Sequence, residues 1–452
     1  MKIKLGSKGT AGNSDFEALR CLGIASMGGA GVGECLAAVQ RIRRGDAESW
    51  TREFGALAER LVREAERSLG GGDPVSAAEE LTRASTYYRT AAFYVTAADP
   101  RQHRYRQLSQ ETFQRALGCI PTRTEIVKIP FEGATLPGYF VSAGTGPNPT
   151  LIILGGYDSM AEELMLWLGN ACGARGWNAL VFEGPGQPGA LNMNPGLVFR
   201  PDYEVPVGAA VDYALSRTDV DAQRLALIGY SFGGYLAPRA AACDSRIRAV
   251  VANTLGVNIA AAMRMAIPSL FWKLPSSFVD GVFNMLTRVS VTARFFFDSA
   301  KGAFGITTAS QFLRVWEPYN LWTVQDRLNV PLLVMMTEDE LAEAPKPMIK
   351  ETVDFLSGLE APVAMRMFSR EEGASGHCQL DSPERMPPVL FPWLNRVFSP
   401  GPPSDADLQA DADGFDKAES LMEKHHGAEF AALIREFRPR GEARIQARVA
   451  GR

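Results

Sequence analysis

Three clusters of residues in this chain could do chemistry together. Gly229-Tyr230-Ser231-Phe232-Gly233 ends the apolar run RLALIGY and precedes the helical stretch YLAPRAAA. A G-x-S-x-G sequence at a strand-to-helix junction is the setting of a sharp turn that holds a serine up as a nucleophile. A serine hydroxyl is a weak nucleophile at its own pKa and needs a neighbouring base. Of the four histidines, His103 falls among N-terminal helices and His425 and His426 in the C-terminal tail. His377, in GASGHCQ, follows the last β-rich run and is the expected base. An acid to orient it belongs between the two, after the penultimate strand. There PLLVMM runs directly into Thr337-Glu338-Asp339-Glu340. Asp339 is the expected acid and Glu340 the alternative.

Such a serine also needs donors for the negative charge that develops on the attacked carbonyl oxygen. Gly155-Gly156-Tyr157-Asp158 follows the apolar run TLIILGG and suits that role. The backbone N–H groups of Tyr157 and Phe232 are the expected donors, with Gly156 beside them. Glu183-Gly184-Pro185-Gly186-Gln187 forms a further rim, and Asp158 is expected to cap the helix that follows it.

These loops must be positioned by a sheet. From residue 122, TEIVKIPF and TLPGYFVSA alternate as a hairpin turning near Glu132-Gly133. Short β-rich runs then alternate with helical stretches through PVAMRMF at 362–368. An antiparallel start followed by this alternation predicts an α/β fold, a mostly parallel sheet with helices on both faces. Residues 255–328 interrupt the alternation with no clear strand and many large side chains, among them Phe271, Trp272, Phe297, Phe304, Phe312 and Trp316. They read as an inserted helical cap.

Residues 1–121 read as an N-terminal helical domain, 122–398 as the catalytic domain, and 399–452 as a linker and tail. Breaks in the helical domain fall at GGAGVG and GGGDP, where Asp73-Pro74 suits an N-cap followed by proline at the first helical position. GGAGVG follows a helix and lacks a closing Lys-Ser/Thr, so it reads as a helix–helix turn and not a phosphate loop. In the tail, GPPSDADLQADADG reads as flexible linker, the following stretch as one amphipathic helix with His425 and His426 on a solvated face, and the basic last residues as a disordered end.

Composition excludes several other classes. With 46% hydrophobic and 22% charged residues and a net charge of −4, nothing points to nucleic acid or to a disordered chain. No apolar run reaches the ~20 residues of a bilayer span, and no secretory signal is read, so a cytoplasmic protein is expected. The six cysteines, Cys21, Cys35, Cys119, Cys172, Cys243 and Cys378, lack metal or framework spacing and read as free thiols.

The combination of GGAGVGE, RGDAESW, GGYDSMAEE, FEGPGQP, GYSFGG and GASGHCQ resembles one branch of the α/β hydrolases. That branch includes dihydroxypseudooxynicotine hydrolase, fungal polyketide-shortening hydrolases, and esterases resembling the fermentation–respiration switch protein. The resemblance implies an α/β-hydrolase fold whose N-terminal helices roof the active site. It also implies a Ser-His-Asp triad in which Ser231 matches the nucleophile and His377 the base, no metal or organic cofactor, and a possible homodimer. The acid turn departs from the branch's usual G-x-x-D-E, reading Thr-Glu-Asp-Glu-Leu. An apolar, aromatic or polyketide-like small molecule is the expected substrate, cleaved at a C–C bond next to a ketone; the alternatives are ester or thioester hydrolysis or acyl transfer on the same scaffold, and a non-catalytic ligand-binding member ranks behind them.

Overall fold

A computed structural model describes residues 12–43, 45–289, 291–401 and 404–438. Its centre is one eight-stranded sheet in the order β1-β2-β4-β3-β5-β6-β7-β8. The strands are β1 (Thr124–Phe131), β2 (Ala134–Val141), β3 (Asn148–Leu154), β4 (Asn178–Phe182), β5 (Val220–Tyr230), β6 (Ala249–Asn253), β7 (Leu332–Thr337) and β8 (Val363–Phe368). β1 pairs antiparallel with β2, and β2 with β4; every later pairing is parallel. The β1–β2 hairpin turns through Glu132 and Gly133, both with positive φ, which matches the right-handed strand twist.

The continuous apolar runs follow from burial on both faces. Along β3, Ile152 and Leu154 enter one core, while Leu151 and Ile153 enter the other. The second core also takes up Trp50, Phe54, Tyr87 and Tyr88 of the N-terminal helices. The sheet and the helical domain therefore share a hydrophobic layer.

The N-terminal helices are α1 (Gly12–Gly23), α2 (Val32–Arg41), α3 (Ala47–Gly70), α4 (Pro74–Ala92) and α5 (Pro100–Cys119). Asp46, Asp73 and Asp99 cap α3, α4 and α5 through their side chains, and the latter two precede a proline at the first helical position. The GGAGVG turn lies between α1 and α2, where Gly28 takes a left-handed conformation. All six cysteines are free thiols.

The segment after β6 is helical, as its composition suggests, with helices Ile259–Ala266, Ser276–Val289, Val291–Phe304 and Ala309–Arg314. Phe297, Phe304, Trp316 and Tyr319 are buried against the same core as one face of the sheet.

The C-terminal segment differs from the sequence expectation. The stretch read as linker is helical from Asp405, within a single helix Asp405–His426 that packs on β8. The backbone of Gly414 lies so close to β8 that an added Cβ would meet the Met365 carbonyl oxygen at 2.1 Å. Ser404 begins the helix with a capping box, a local signal that outweighs the low-complexity look of the stretch. His425 and His426 are half-buried against the catalytic domain, not on a fully solvated face. His425 meets Glu338 at 3.1 Å and His426 the Leu341 carbonyl at 2.7 Å. The basic end beyond residue 438 lies outside the described residues, as does the chain before residue 12. No helix among the described residues is long and apolar enough to cross a membrane.

Candidate active site

Ser231 sits just beyond the carboxyl end of β5 with φ 56°, a left-handed conformation that a non-glycine residue adopts only when its surroundings enforce it. The flanking glycines explain how the chain makes so tight a turn. A Cβ at Gly229 would stand 1.9 Å from the Gly233 carbonyl oxygen, and one at Gly233 would stand 2.7 Å from that of Gly155. The helix Gly233–Cys243 starts immediately behind the serine and directs its N-terminus at the site.

His377 reaches the serine from the loop after β8. Its Nε2 lies 2.7 Å from Ser231 Oγ. The loop is tied to the end of β6 by a reciprocal amide pair: Asn253 Nδ2 donates to Gln379 Oε1 at 2.9 Å, and Gln379 Nε2 donates back to Asn253 Oδ1 at 3.1 Å. The imidazole keeps 39% of its surface exposed, so a substrate can approach it.

The acid beside His377 is Glu340, not Asp339. Glu340 Oε1 meets Nδ1 of the imidazole in a short contact. The same oxygen accepts from Thr254 Oγ1 at 2.5 Å. Asp339 points elsewhere, accepting from Arg370 Nε at 2.6 Å and Ser375 Oγ at 2.7 Å. The reason is local. Thr337 caps the helix Glu338–Glu343, and Glu340 is its N3 residue, returning Oε2 to the Thr337 amide at 2.9 Å. A capping box turns N3 back over the strand end, where the imidazole lies, and turns the residue before it away. The T-x-x-E spacing is a sequence signal that would have selected Glu340.

Burial works against a charged imidazole, but the Cys378 sulfur and the Glu340 carboxylate beside it outweigh that cost. His377 is held well above its ordinary value. Burial would likewise raise Glu340, yet His377, Thr254 and the Thr337 amide hold its carboxyl below the usual range.

The loop after β3 lies against the elbow. A Cβ at Gly156 would come within 2.7 Å of the Tyr230 carbonyl oxygen and 2.8 Å of Ser231 Cβ. The Gly156 amide is not free, because it donates to Ser159 Oγ at 2.8 Å. Gly156 therefore provides close approach, which leaves the Tyr157 and Phe232 amides as the candidate donors to an oxyanion. Gln187, buried in the GPGQP rim, clamps this loop by donating to the carbonyls of Gly155 and Gly156 at 2.8 and 3.0 Å. Its neighbour Glu183 accepts the amides of Ala161 and Gly189, and burial pushes its carboxyl up to about 8. Asp158 does not cap the next helix. It pairs with Arg20 of α1 at 3.2 Å, at the exposed edge of a buried cluster that includes Glu17, Arg89 and Glu163.

An aromatic cluster surrounds Phe232, the residue after the serine. The Phe232 ring packs against Phe199, Trp316 and Tyr319 at 5.2, 6.0 and 5.3 Å, and the Tyr157 ring stacks on Phe199 at 5.9 Å. Phe16 of α1 stands 6.2 Å from the His377 ring. Both the helical domain and the cap thus reach the site.

Comparisons with known proteins agree with this architecture. The family model described as "Esterase FrsA-like" matches residues 33–296. The chain is 33% identical to Hydrolase acrC of Aspergillus aculeatus, over 85% of this chain and 96% of that protein. It is 30% identical to the 20-hydroxy-prefusarin hydrolase FUS2 of Gibberella moniliformis, with the same two coverages, 85% and 96%. Among solved structures, 2,6-dihydroxy-pseudo-oxynicotine hydrolase superposes with a TM-score of 0.63 at 21% identity, covering 83% of this chain and 95% of that one.

Proposed function

Because the chain belongs to the FrsA-like esterase family and is an α/β hydrolase, we propose that it cleaves its substrate with a Ser231–His377–Glu340 triad. The observation that carries this reading is the pair of contacts on one imidazole: Nε2 at 2.7 Å from Ser231 Oγ, and Nδ1 on Glu340 Oε1.

In this mechanism Ser231 Oγ attacks a carbonyl carbon and its proton passes to His377 Nε2. Glu340 keeps Nδ1 protonated and stabilises the imidazolium. The amides of Tyr157 and Phe232 donate to the oxyanion, each donor contributing ~3 kcal/mol to the transition state in comparable sites. When the tetrahedral intermediate collapses, the leaving group departs with the proton from Nε2. Water then releases the acyl group by the same steps in reverse.

The proposed substrate is an apolar, aromatic or polyketide-like carbonyl compound, and the proposed reaction is hydrolysis of a C–C bond next to a ketone. The aromatic cluster beside Ser231 supports the substrate class. The names of the relatives support hydrolysis as the reaction. Ester hydrolysis on the same scaffold is the second reading, favoured by the family's description.

A neutral fluorophosphonate tests the triad. The folded protein should be labelled on Ser231, and labelling should fall to background in Ser231→Ala and His377→Ala. An unlabelled wild type would sink the hydrolytic reading. Turnover of aryl β-diketones against matched aryl esters then decides between the two bonds.

A further inference from the structure

Next to the oxyanion loop lies a small cavity at the junction of all three parts of the fold. Arg89 of α4 and Arg106 of α5 border it from the helical domain, Asp158 from the loop after β3, and Asp298 and Ser299 from the cap. Its volume is about 40 Å³. That admits a small polar group but falls well short of the ~150 Å³ that accepts a benzene ring.

The cavity's charges are unevenly satisfied. Asp158 is paired with Arg20, and Asp298 meets Lys301 Nζ at 3.3 Å. Ser299 Oγ donates to the Tyr157 hydroxyl at 3.1 Å. The arginines are different. Arg89, more than nine-tenths buried, pairs with Glu17 through Nη1 at 2.7 Å, yet its Nη2 has no hydrogen-bond acceptor. Arg106 makes no hydrogen bond or ion pair with any described residue. Burial pushes its guanidinium down to about 10, with Glu183 and Asp158 only partly offsetting the cost. A half-buried guanidinium without a partner has lost hydration that a bound anion would replace, and a planar N–H fork matches a carboxylate.

We propose that Arg106, assisted by Nη2 of Arg89, binds a carboxylate carried by the substrate. The carboxylate enters this cavity while the carbonyl under attack lies on Ser231. The Tyr157 loop joins the two positions: its amide is the proposed oxyanion donor, and the next residue, Asp158, borders the cavity. This inference rests on the hydrolytic reading only for its placement relative to Ser231. It adds that the preferred substrate is a carboxylic acid with an apolar body.

The test compares phenylbutyrate with its neutral isostere phenylbutyramide as protectants of Ser231 against the neutral fluorophosphonate. Phenylbutyrate should protect at a concentration about tenfold lower or more, as expected for a charge-assisted pair. Arg106→Gln should bring the ratio to about one, and Arg106→Lys, which keeps the charge but loses the fork, should leave an intermediate ratio. Each comparison is made within one variant, so a general loss of stability affects both ligands equally. Equal protection by acid and amide in the wild type would overturn the proposal, as would a preference unchanged in both variants. If Ser231 is not labelled at all, the triad reading fails separately. The same two ligands measured by calorimetry then still decide whether the arginines bind the carboxylate.

Discussion

Glu340 meets His377 Nδ1 with one carboxylate oxygen while its other oxygen accepts the amide of Thr337. One residue thus closes the helix after β7 and holds the imidazole of the candidate triad. The capping bonds limit the carboxylate's freedom, so its position at the imidazole is set by backbone geometry as much as by charge.

Separating the two acids is the most direct test of that arrangement. Glu340→Gln should lower kcat by about 10²- to 10⁴-fold, the range seen when a triad acid is neutralised. Asp339→Asn should stay within about threefold of the wild type, because Asp339 contacts Arg370 and Ser375 rather than the imidazole. Steady-state kinetics on any ester the protein turns over, or the rate of Ser231 labelling, reads the difference. The reverse ranking would restore Asp339 as the acid.

The same pair sets the pH profile. His377 is raised above its ordinary value, so the neutral base needed for catalysis accumulates only at higher pH. The acid limb of kcat/KM should therefore lie above the ordinary imidazole range and move to lower pH in Glu340→Gln. For stability the sign is the opposite of the catalytic one. The ion pair stabilises the fold fully below the ordinary imidazole value, and that contribution is lost as pH rises through the raised one. Denaturant titrations at stepped pH would show this, and an acid limb that does not move in the variant would contradict the coupling.

Gly156→Ala tests the closeness of the two backbone segments at the oxyanion site. The new Cβ would collide with the Tyr230 carbonyl and Ser231 Cβ. The loop must then part from the elbow and carry the Tyr157 amide with it. A fall in kcat of about 10²- to 10³-fold is expected, equivalent to losing one oxyanion donor. A variant of normal kcat would show that the Tyr157 amide is not a donor.

The C-terminal helix makes its own prediction. Glu338, almost wholly buried, receives Lys424 Nζ at 2.7 Å, His425 Nε2 at 3.1 Å and the Arg370 amide at 2.9 Å. Although burial opposes it, these partners hold its carboxyl down at about 2. A depressed carboxylate contributes stability above its ordinary value and loses it as pH falls toward the lowered one. Glu338→Gln should cost about 1–3 kcal/mol at neutral pH and flatten the acid side of the stability curve. Urea unfolding at neutral and acidic pH distinguishes this from a neutral surface change, for which both curves would coincide.

The sequence by itself determined the strands, the elbow and the histidine that meets Ser231. Apolar runs buried on both faces, glycines where no Cβ fits, and a histidine after the last strand are local patterns with local causes. It also carried the identity of the acid, in the Thr337-x-x-Glu340 spacing, although chain order alone could not separate two neighbouring carboxylates. Only the tertiary structure decided the remaining relationships. That the Gly156 amide is taken by Ser159, that Gln187 clamps the oxyanion loop, and that Asn253 pairs with Gln379 depend on segments far apart in sequence meeting at the strand ends. The C-terminal helix was hidden for the same reason, since its fit on β8 depends on a close approach at Gly414 that composition does not reveal. The unpartnered guanidinium of Arg106 is likewise a property of three parts of the fold closing around one cavity.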